Sequence, residues 1–343
     1  MVIALYSIIV FYAFIESGKR AVGKLKVLSL FVVFFAAYIA ATNTTGDDYL
    51  NYLYKYRDLD SGKGRLISGY MEPGFQLAMV GAKIIGLDFT SFLLIYESII
   101  LFLIYAIVIK SGASFGLFFL LYFPKYFIKG NMSQIRATFI YGFVLWLLYW
   151  AVCGRRLRYY TMIFVGAAFH ASGLIFIPFR KVLRRKYSRL QLAALIAISY
   201  LLGLFLPSLL DRLPEFGLLG RALHYLADGR AKIPLFGIEV IRRIVTIVIM
   251  LGLKDKIAKR AQLGQSLVNL YALSVSAYFL FIGIRIWAER FSAIFGIAEI
   301  MLFAMALRTF RKEERALVFV LIAIYAFVDL FLRGVPQYVG VWQ

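Results

Sequence analysis

Residues 159–179 read YYTMIFVGAAFHASGLIFIPF, an apolar stretch between two basic clusters. Arg155, Arg156 and Arg158 precede it, and Arg180, Lys181, Arg184, Arg185 and Lys186 follow it. Short basic loops stay on the cytoplasmic side of a bacterial membrane, so one straight span would strand one cluster on the wrong side. The centre, His170-Ala171-Ser172-Gly173, is also poor material for an uninterrupted lipid-facing helix. Two half-helices that enter from the cytoplasm, break near His170 and return satisfy both flanks. Broken backbone is tolerated at membrane depth only where protein buries it or it lines a wet cavity. His170 is therefore expected at a cavity, and the cavity is where function should be sought.

The rest of the chain agrees with a membrane setting. Of its 343 residues 62% are hydrophobic, and the mean hydropathy of +0.80 lies far above that of a water-soluble domain. The 23 Tyr and 32 Phe suit rings anchored at headgroup level. The single Cys153 excludes an internal disulfide framework, and no Cys/His spacing points to a structural metal. A net charge of +21 would fit nucleic-acid binding if it were clustered. It falls instead in short loops between apolar segments, where it sets orientation and attracts anionic lipid, so no nucleic-acid partner is expected.

Apolar segments of roughly 20 residues, enough to span, lie near 25–42, 90–109, 134–152, 190–210, 265–284, 288–307 and 316–333. Shorter ones lie near 2–16, 113–129 and 236–253. The first is followed by no small-residue cleavage site, so no cleavable signal is expected. Residues 74–87 are too short to cross, and counting them as a span would place Arg155–Arg158 outside. They read better as a re-entrant or interfacial helix. The expectation is an all-α polytopic membrane protein, residues 1–343 forming a single integral membrane domain. It has about ten transmembrane helices, two re-entrant or half-helix elements, the second of them the pair 159–179, and both termini outside. Two long outer loops, 43–73 and 211–235, are natural places for function.

Polar residues at the outer face are the candidate site. Asp47 and Asp48 follow a span and suit a general base, a metal ligand or a helix cap. Glu72, before Pro73 and Gly74, is placed to start a short helix. Asn131, Gln134 and Arg136 open the span 134–152, and a charge one turn into an apolar helix must snorkel or meet a partner or an anion. Arg285 and Glu289 are spaced to pair along one helix face, and Arg290 follows them. Converging arginines suit pyrophosphate, whose oxygens accept bidentate guanidinium bonds. His170 either holds its turn, or accepts a proton near neutral pH or donates to phosphate. Tyr49 and Tyr52 either stack on sugar rings or pack at the headgroup boundary.

Taken together these stretches resemble the EpsG-like branch of the Wzy-type polysaccharide polymerases. The matching segments, in order, are Gly46-Asp47-Asp48-Tyr49 with Tyr52 and Tyr56, Glu72-Pro73-Gly74-Phe75, Asn131 to Arg136, and His170-Ala171-Ser172 before Pro178. Arg290-Phe291 with Phe295 resembles the family's C-terminal Arg-aromatic motif. The family commonly carries an Arg-Gln pair after the Asn, whereas here Gln134 precedes Arg136, a departure that leaves Arg136 in place.

The resemblance implies a GT-C-like glycosyltransferase of the bacterial inner membrane with its active site facing the periplasm or exterior. Its substrate would be an undecaprenyl-pyrophosphate-linked oligosaccharide, with membrane lipid, a flippase and chain-length regulator proteins as neighbours. It further implies no cofactor and no metal, arginines taking the charge of the departing diphosphate. On that reading Asp47, Asp48, His170, Arg136 and Arg290 are catalytic. Tyr49, Tyr52, Glu72, Asn131, Gln134, Arg285 and Glu289 bind substrate. A transporter or flippase of lipid-linked oligosaccharide, or an O-antigen ligase-like GT-C transferase, are the alternatives. A membrane acyltransferase also places a His in a buried half-helix, but leaves the outer arginines unexplained.

Overall fold

Apolar residues occupy every face of several helices here, and in the second helix side-chain size separates inside from outside. Helix α2 (Lys26–Thr42), after α1 (Val2–Gly18), buries Val32, Val33, Ala36, Ala37, Ala40 and Ala41 while exposing Phe31, Phe34 and Tyr38. Small residues let helix backbones approach, and the bulky apolar ones are left for lipid. In water such a face would be an aggregation surface. The structure, a computed structural model, describes residues 1–18, 25–46, 48–59, 71–210, 233–234 and 237–332. All regular structure among them is helical.

After α2 come α3 (Tyr49–Asp58), α4 (Pro73–Ile84), α5 (Phe89–Lys110) and α6 (Phe115–Tyr122). A π-helical segment, Phe123–Asn131, continues α6 and leads to α7 (Ile135–Val152) and α8 (Arg156–Phe169). A 3-10 segment, Ala171–Phe179, leads to α9 (Arg180–Arg184) and α10 (Arg189–Leu210). Then follow α11 (Ile238–Arg260), α12 (Gly264–Leu280), α13 (Arg285–Ala306), a 3-10 turn (Leu307–Thr309) and α14 (Lys312–Leu332).

Among the described residues four helices are long and apolar enough to cross a membrane: Phe89–Lys110, Ile135–Val152, Arg189–Leu209 and Arg285–Thr309. Val2–Ser17 and Lys26–Thr42 are shorter apolar helices. The other expected spans are helical but interrupted, charged or, at Gly264–Leu280, only 17 residues long and carrying Gln265, Asn269 and several serines. The stretch 113–129 divides at Phe123-Pro124, where proline supplies no amide to the α ladder and the turn widens. Helix α11 carries Glu239, Arg242 and Arg243 in its first turns. Helix α4, at 12 residues, is about 18 Å long and cannot cross. It ends where Gly86 N and Leu87 N turn back to Lys83 O and Ala82 O. Asp88 then caps α5 by accepting from Ser91 N at 2.7 Å. The outer stretch 43–73 is partly helical as α3; residues 47 and 60–70 of it, and 211–232 and 235 of the other loop, lie outside the described residues.

Two compact units form. The first comprises Met1–Phe179 with Phe303–Gln343, and the second Arg180–Leu302. In the first, α2 packs on α5, α5 on α7, α7 on α8, and α1 on α6, with α14 beside α1 and α6. The buried Glu16 side chain ties α1 to the start of α6: its carboxylate accepts from Ser114 Oγ (2.9 Å), Phe115 N (3.2 Å) and Gly116 N (2.6 Å). A helix start leaves amides without partners, and an anion there is favoured.

In the second unit α12 packs against α10 and α11. Asn269 of α12 donates to the carbonyls of Val182 (3.1 Å) and Arg185 (2.8 Å), fixing the turn after α9. Arg242 is held between the partly exposed Glu239 (2.7 Å) and the buried Glu299 (2.5 Å). Arg243 lies 4.0 Å over the Tyr278 ring and donates to Ser292 Oγ at 3.1 Å. Charges this deep persist only when paired.

Glu16→Ala removes the acceptor for two amides and a hydroxyl. It is expected to lower unfolding free energy by about 2 kcal/mol or more, a charge-assisted bond alone being worth up to about 3. Denaturant titration in micelles, followed by circular dichroism, reads the change, with Glu16→Gln intermediate. Equal stability of Glu16→Ala and the parent would remove this carboxylate from the structural account.

Candidate functional site

The backbone reverses at His170. There φ is −156° and ψ is 117°, an extended residue between α8 and the 3-10 segment. The hydroxyl of Tyr159, buried, donates to Phe176 O at 2.7 Å. Those residues are 17 positions apart, which along a straight helix is roughly 25 Å. The two halves therefore lie side by side. The break is locally encoded: Ser172 turns its amide and hydroxyl to the His170 ring, competing with the helical ladder.

The reversal presents the Ala171 amide to another part of the chain. It donates to Glu72 Oε1 at 3.2 Å. Glu72 stands at the N-terminus of α4, but its side chain caps no amide of that helix. It serves the half-helix break instead, and its Oε2 is ion-paired with Arg136 Nη1. Arg136, one turn into α7, also donates through Nε to Tyr52 Oη at 2.5 Å, with its guanidinium 5.2 Å from the centre of that ring. Tyr52 in turn donates to Asp48 Oδ2 at 3.4 Å. Close backbone approaches hold these elements together. A Cβ on Gly46 would stand 2.1 Å from Met132 O, and one on Gly74 2.7 Å from Ala168 O. Asn43 Nδ2 donates to the same Met132 carbonyl at 2.8 Å.

Four stretches far apart in the chain thus meet in the first unit: 43–56, 72–75, 132–136 and 168–172. Arg136 and Glu72 remain partly open, with side chains 24% and 18% exposed. A guanidinium has five N–H donors, and two are taken here by Tyr52 and Glu72, leaving three to meet a ligand. Burial pushes the Tyr52 phenol up to about 12, so it stays protonated between Arg136 and Asp48. Burial also pushes the Glu72 carboxyl up. The backbone amides of Glu72 and Ala171, then Arg136 and His170, outweigh that and hold it below its ordinary value of 4.5.

Other expected residues fall elsewhere. Asp47 lies outside the described residues. Tyr49 is buried edge-on against Phe89 at 5.4 Å, in the core rather than at the cluster. Gln134 is half-buried at the start of α7, its backbone N–H donating to Lys129 O at 3.2 Å. The Asn131 side chain faces inward, accepting from Tyr122 Oη at 2.8 Å and donating to Glu97 Oε2 at 2.5 Å. In the second unit Arg285 pairs with Glu289 at 2.8 Å on an exposed surface, and Arg290 is exposed. Among the described residues no group of three or more His, Cys, Asp or Glu is arranged to hold a metal ion.

Sequence reasoning passed over Glu97, fully buried in α5, and the Arg242, Arg243 and Glu299 centre of the second unit. Their signal was present: acidic or basic residues inside IYESIIL, EVIRRIV and IAEIMLF.

Compared with protein-family models, the chain matches the EpsG family over residues 25–340. The chain belongs to the EpsG family. This is a Wzy-type polymerase family, and membership together with the apolar helices makes the chain a polysaccharide-polymerase-like membrane protein. No curated protein and no solved structure matches it.

Because the folded Glu72 carboxyl is held below 4.5, its share of stability is complete above that pH and is lost as pH falls through the folded value. Melting temperature of this EpsG-family protein should therefore lose a Glu72-dependent share only below about pH 4.5, and Glu72→Gln should abolish that share. An identical acid profile for Glu72→Gln and the parent would contradict the pairing.

Proposed function

We propose that the protein is a membrane polysaccharide polymerase. It transfers an undecaprenyl-pyrophosphate-linked glycan chain to a lipid-linked repeat unit at the outer face of the inner membrane. The observation that carries this reading is the meeting of the four family-matching stretches at Arg136. The two units belong, on this reading, to one membrane domain of about ten spans with GT-C-like topology. The hairpin at His170 is its re-entrant pair.

In the proposed reaction a hydroxyl of the incoming repeat unit attacks the anomeric carbon of the growing chain. The bond from that carbon to the diphosphate oxygen breaks, the hydroxyl proton passes to a base, and the lipid diphosphate departs. Negative charge grows on the departing oxygen, so a cation oriented before reaction lowers the barrier. Arg136 fits that role: Tyr52 and Glu72 hold its guanidinium, which keeps three further N–H groups and is partly exposed. Asp48, tied to Arg136 through Tyr52, suits the base. Glu72 orients Arg136 and holds the break. Arg285 and Glu289 satisfy each other and carry no step here.

Polymerisation of purified lipid-linked repeat units tests the reading. Arg136→Ala and Asp48→Asn should each lower the rate on the order of a hundredfold or more, with folding intact by circular dichroism. Near-parental chain lengths from both variants would remove this cluster from catalysis. Arg290→Ala in the same assay tests the expectation drawn for that residue from the family motif. Loss of activity on chelation, with recovery on adding a divalent cation, would replace the arginine-centred scheme with a metal-dependent one. Translocation of the lipid-linked substrate without any new glycosidic bond would favour the flippase alternative.

A further inference from the structure

Glu97 lies within α5, a helix long and apolar enough to cross a membrane, and its side chain is fully buried. It receives one hydrogen bond: Asn131 Nδ2 donates to Oε2 at 2.5 Å, while Oε1 has no partner. The buried Glu16 side chain, by contrast, collects three donors. None of the ion pairs among the described residues includes Glu97. Helices α2, α6 and α7 pack against α5, and the cations they carry are engaged or exposed. Arg136 of α7 is held by Glu72 and Tyr52, and Lys26 of α2 is exposed. Lys110 ends α5 itself, 13 positions or roughly 20 Å from Glu97, and lies over Tyr149. In the π-helical segment Lys125 is partly exposed and Lys129 exposed. Every other titratable side chain on these elements is a tyrosine, Tyr96 and Tyr122 among them. A buried anion with a single amide donor and no cation is far costlier than the neutral acid, so the group keeps its proton.

We propose that Glu97 is kept as a neutral carboxylic acid and is a positioning residue for the start of α7. Oε2, the carbonyl oxygen of the acid, accepts from Asn131, and Asn131 Oδ1 accepts from Tyr122 Oη at 2.8 Å. One amide side chain thereby joins α5, α6 and the end of the π-helical segment. Met132, next in the chain, offers its carbonyl to Asn43 Nδ2, and Arg136 stands four residues further on. Glu97 acts on Arg136 through the backbone between Asn131 and α7, and touches no reacting atom. The effect on catalysis rests on the polymerase reading above; the protonation of Glu97 does not.

Infrared spectroscopy of the full-length protein in an ester-free detergent near neutral pH reads the proton directly. The carbonyl stretch of a protonated carboxylic acid lies above the amide band, where neither backbone nor glutamine absorbs. The spectrum of the parent minus that of Glu97→Gln should contain this stretch. A difference spectrum without it, or with the stretch of an ionised carboxylate in its place, overturns the assignment. The measurement needs no substrate, so it stands apart from failure of the polymerase reading.

The positioning role is read from polymerisation rates, after circular dichroism has shown which variants fold. A glutamine carbonyl accepts from Asn131 as the acid does, whereas leucine of similar size accepts nothing. Glu97→Gln should polymerise at nearly the parental rate. Glu97→Leu should lose on the order of a hundredfold, as a small misplacement of a catalytic group can cost. A parental rate in Glu97→Leu overturns the positioning role. So does a loss in folded Glu97→Gln as deep as that expected for Glu97→Leu, and this arm decides alone if Glu97→Leu does not fold.

Discussion

A helix that reverses direction in an apolar setting exposes amides that must find partners inside the protein. Glu72 is the partner here. It accepts from Ala171 N at the break and would itself be a poorly solvated anion without Arg136. Arg136 has the matching problem, a cation one turn inside an apolar helix, and Glu72 with Tyr52 answers it. Each group's burial is tolerable only because the others are present. The hairpin, the start of α4 and the start of α7 are consequently held at a common point, and α3 joins them through Tyr52 and Asp48.

The same logic recurs at two further places. Glu16 meets the open amides at the start of α6, and Asn269 meets the open carbonyls after α9. In each case a polar side chain on a distant, mostly apolar helix completes a helix end. Apolar contact sets which helices pack, while these few polar bonds select the register in which they do so.

Much of the helical layout was legible because its signals are local. Runs of apolar residues marked the helices near 90–109, 134–152, 190–210 and 288–307, and basic flanks with His170-Ala171-Ser172 marked the break. The partnerships were not legible. Glu-Pro-Gly announced a helix start, yet the amide that Glu72 serves is 99 residues away on another helix. Asn131 was expected to bind substrate, but the buried Glu97 side chain on α5, 34 residues upstream, draws its side chain into the core. The Arg285–Glu289 pair, being an i,i+4 relation, was readable from spacing alone. Long-range pairing depends on which helices meet, and a single sequence does not state that.

The ionic composition of the Arg136 cluster has a consequence for how a substrate arrives. One guanidinium stands against two carboxylates, Glu72 and Asp48, so the cluster projects little positive field into its surroundings. Such a site does not draw an anionic headgroup from a distance; its donors act only at contact, where bond geometry counts and ionic strength matters little. For a lipid-linked substrate the encounter is then a lateral search within the bilayer plane. The lipid tail, not electrostatic steering, would set the rate of arrival.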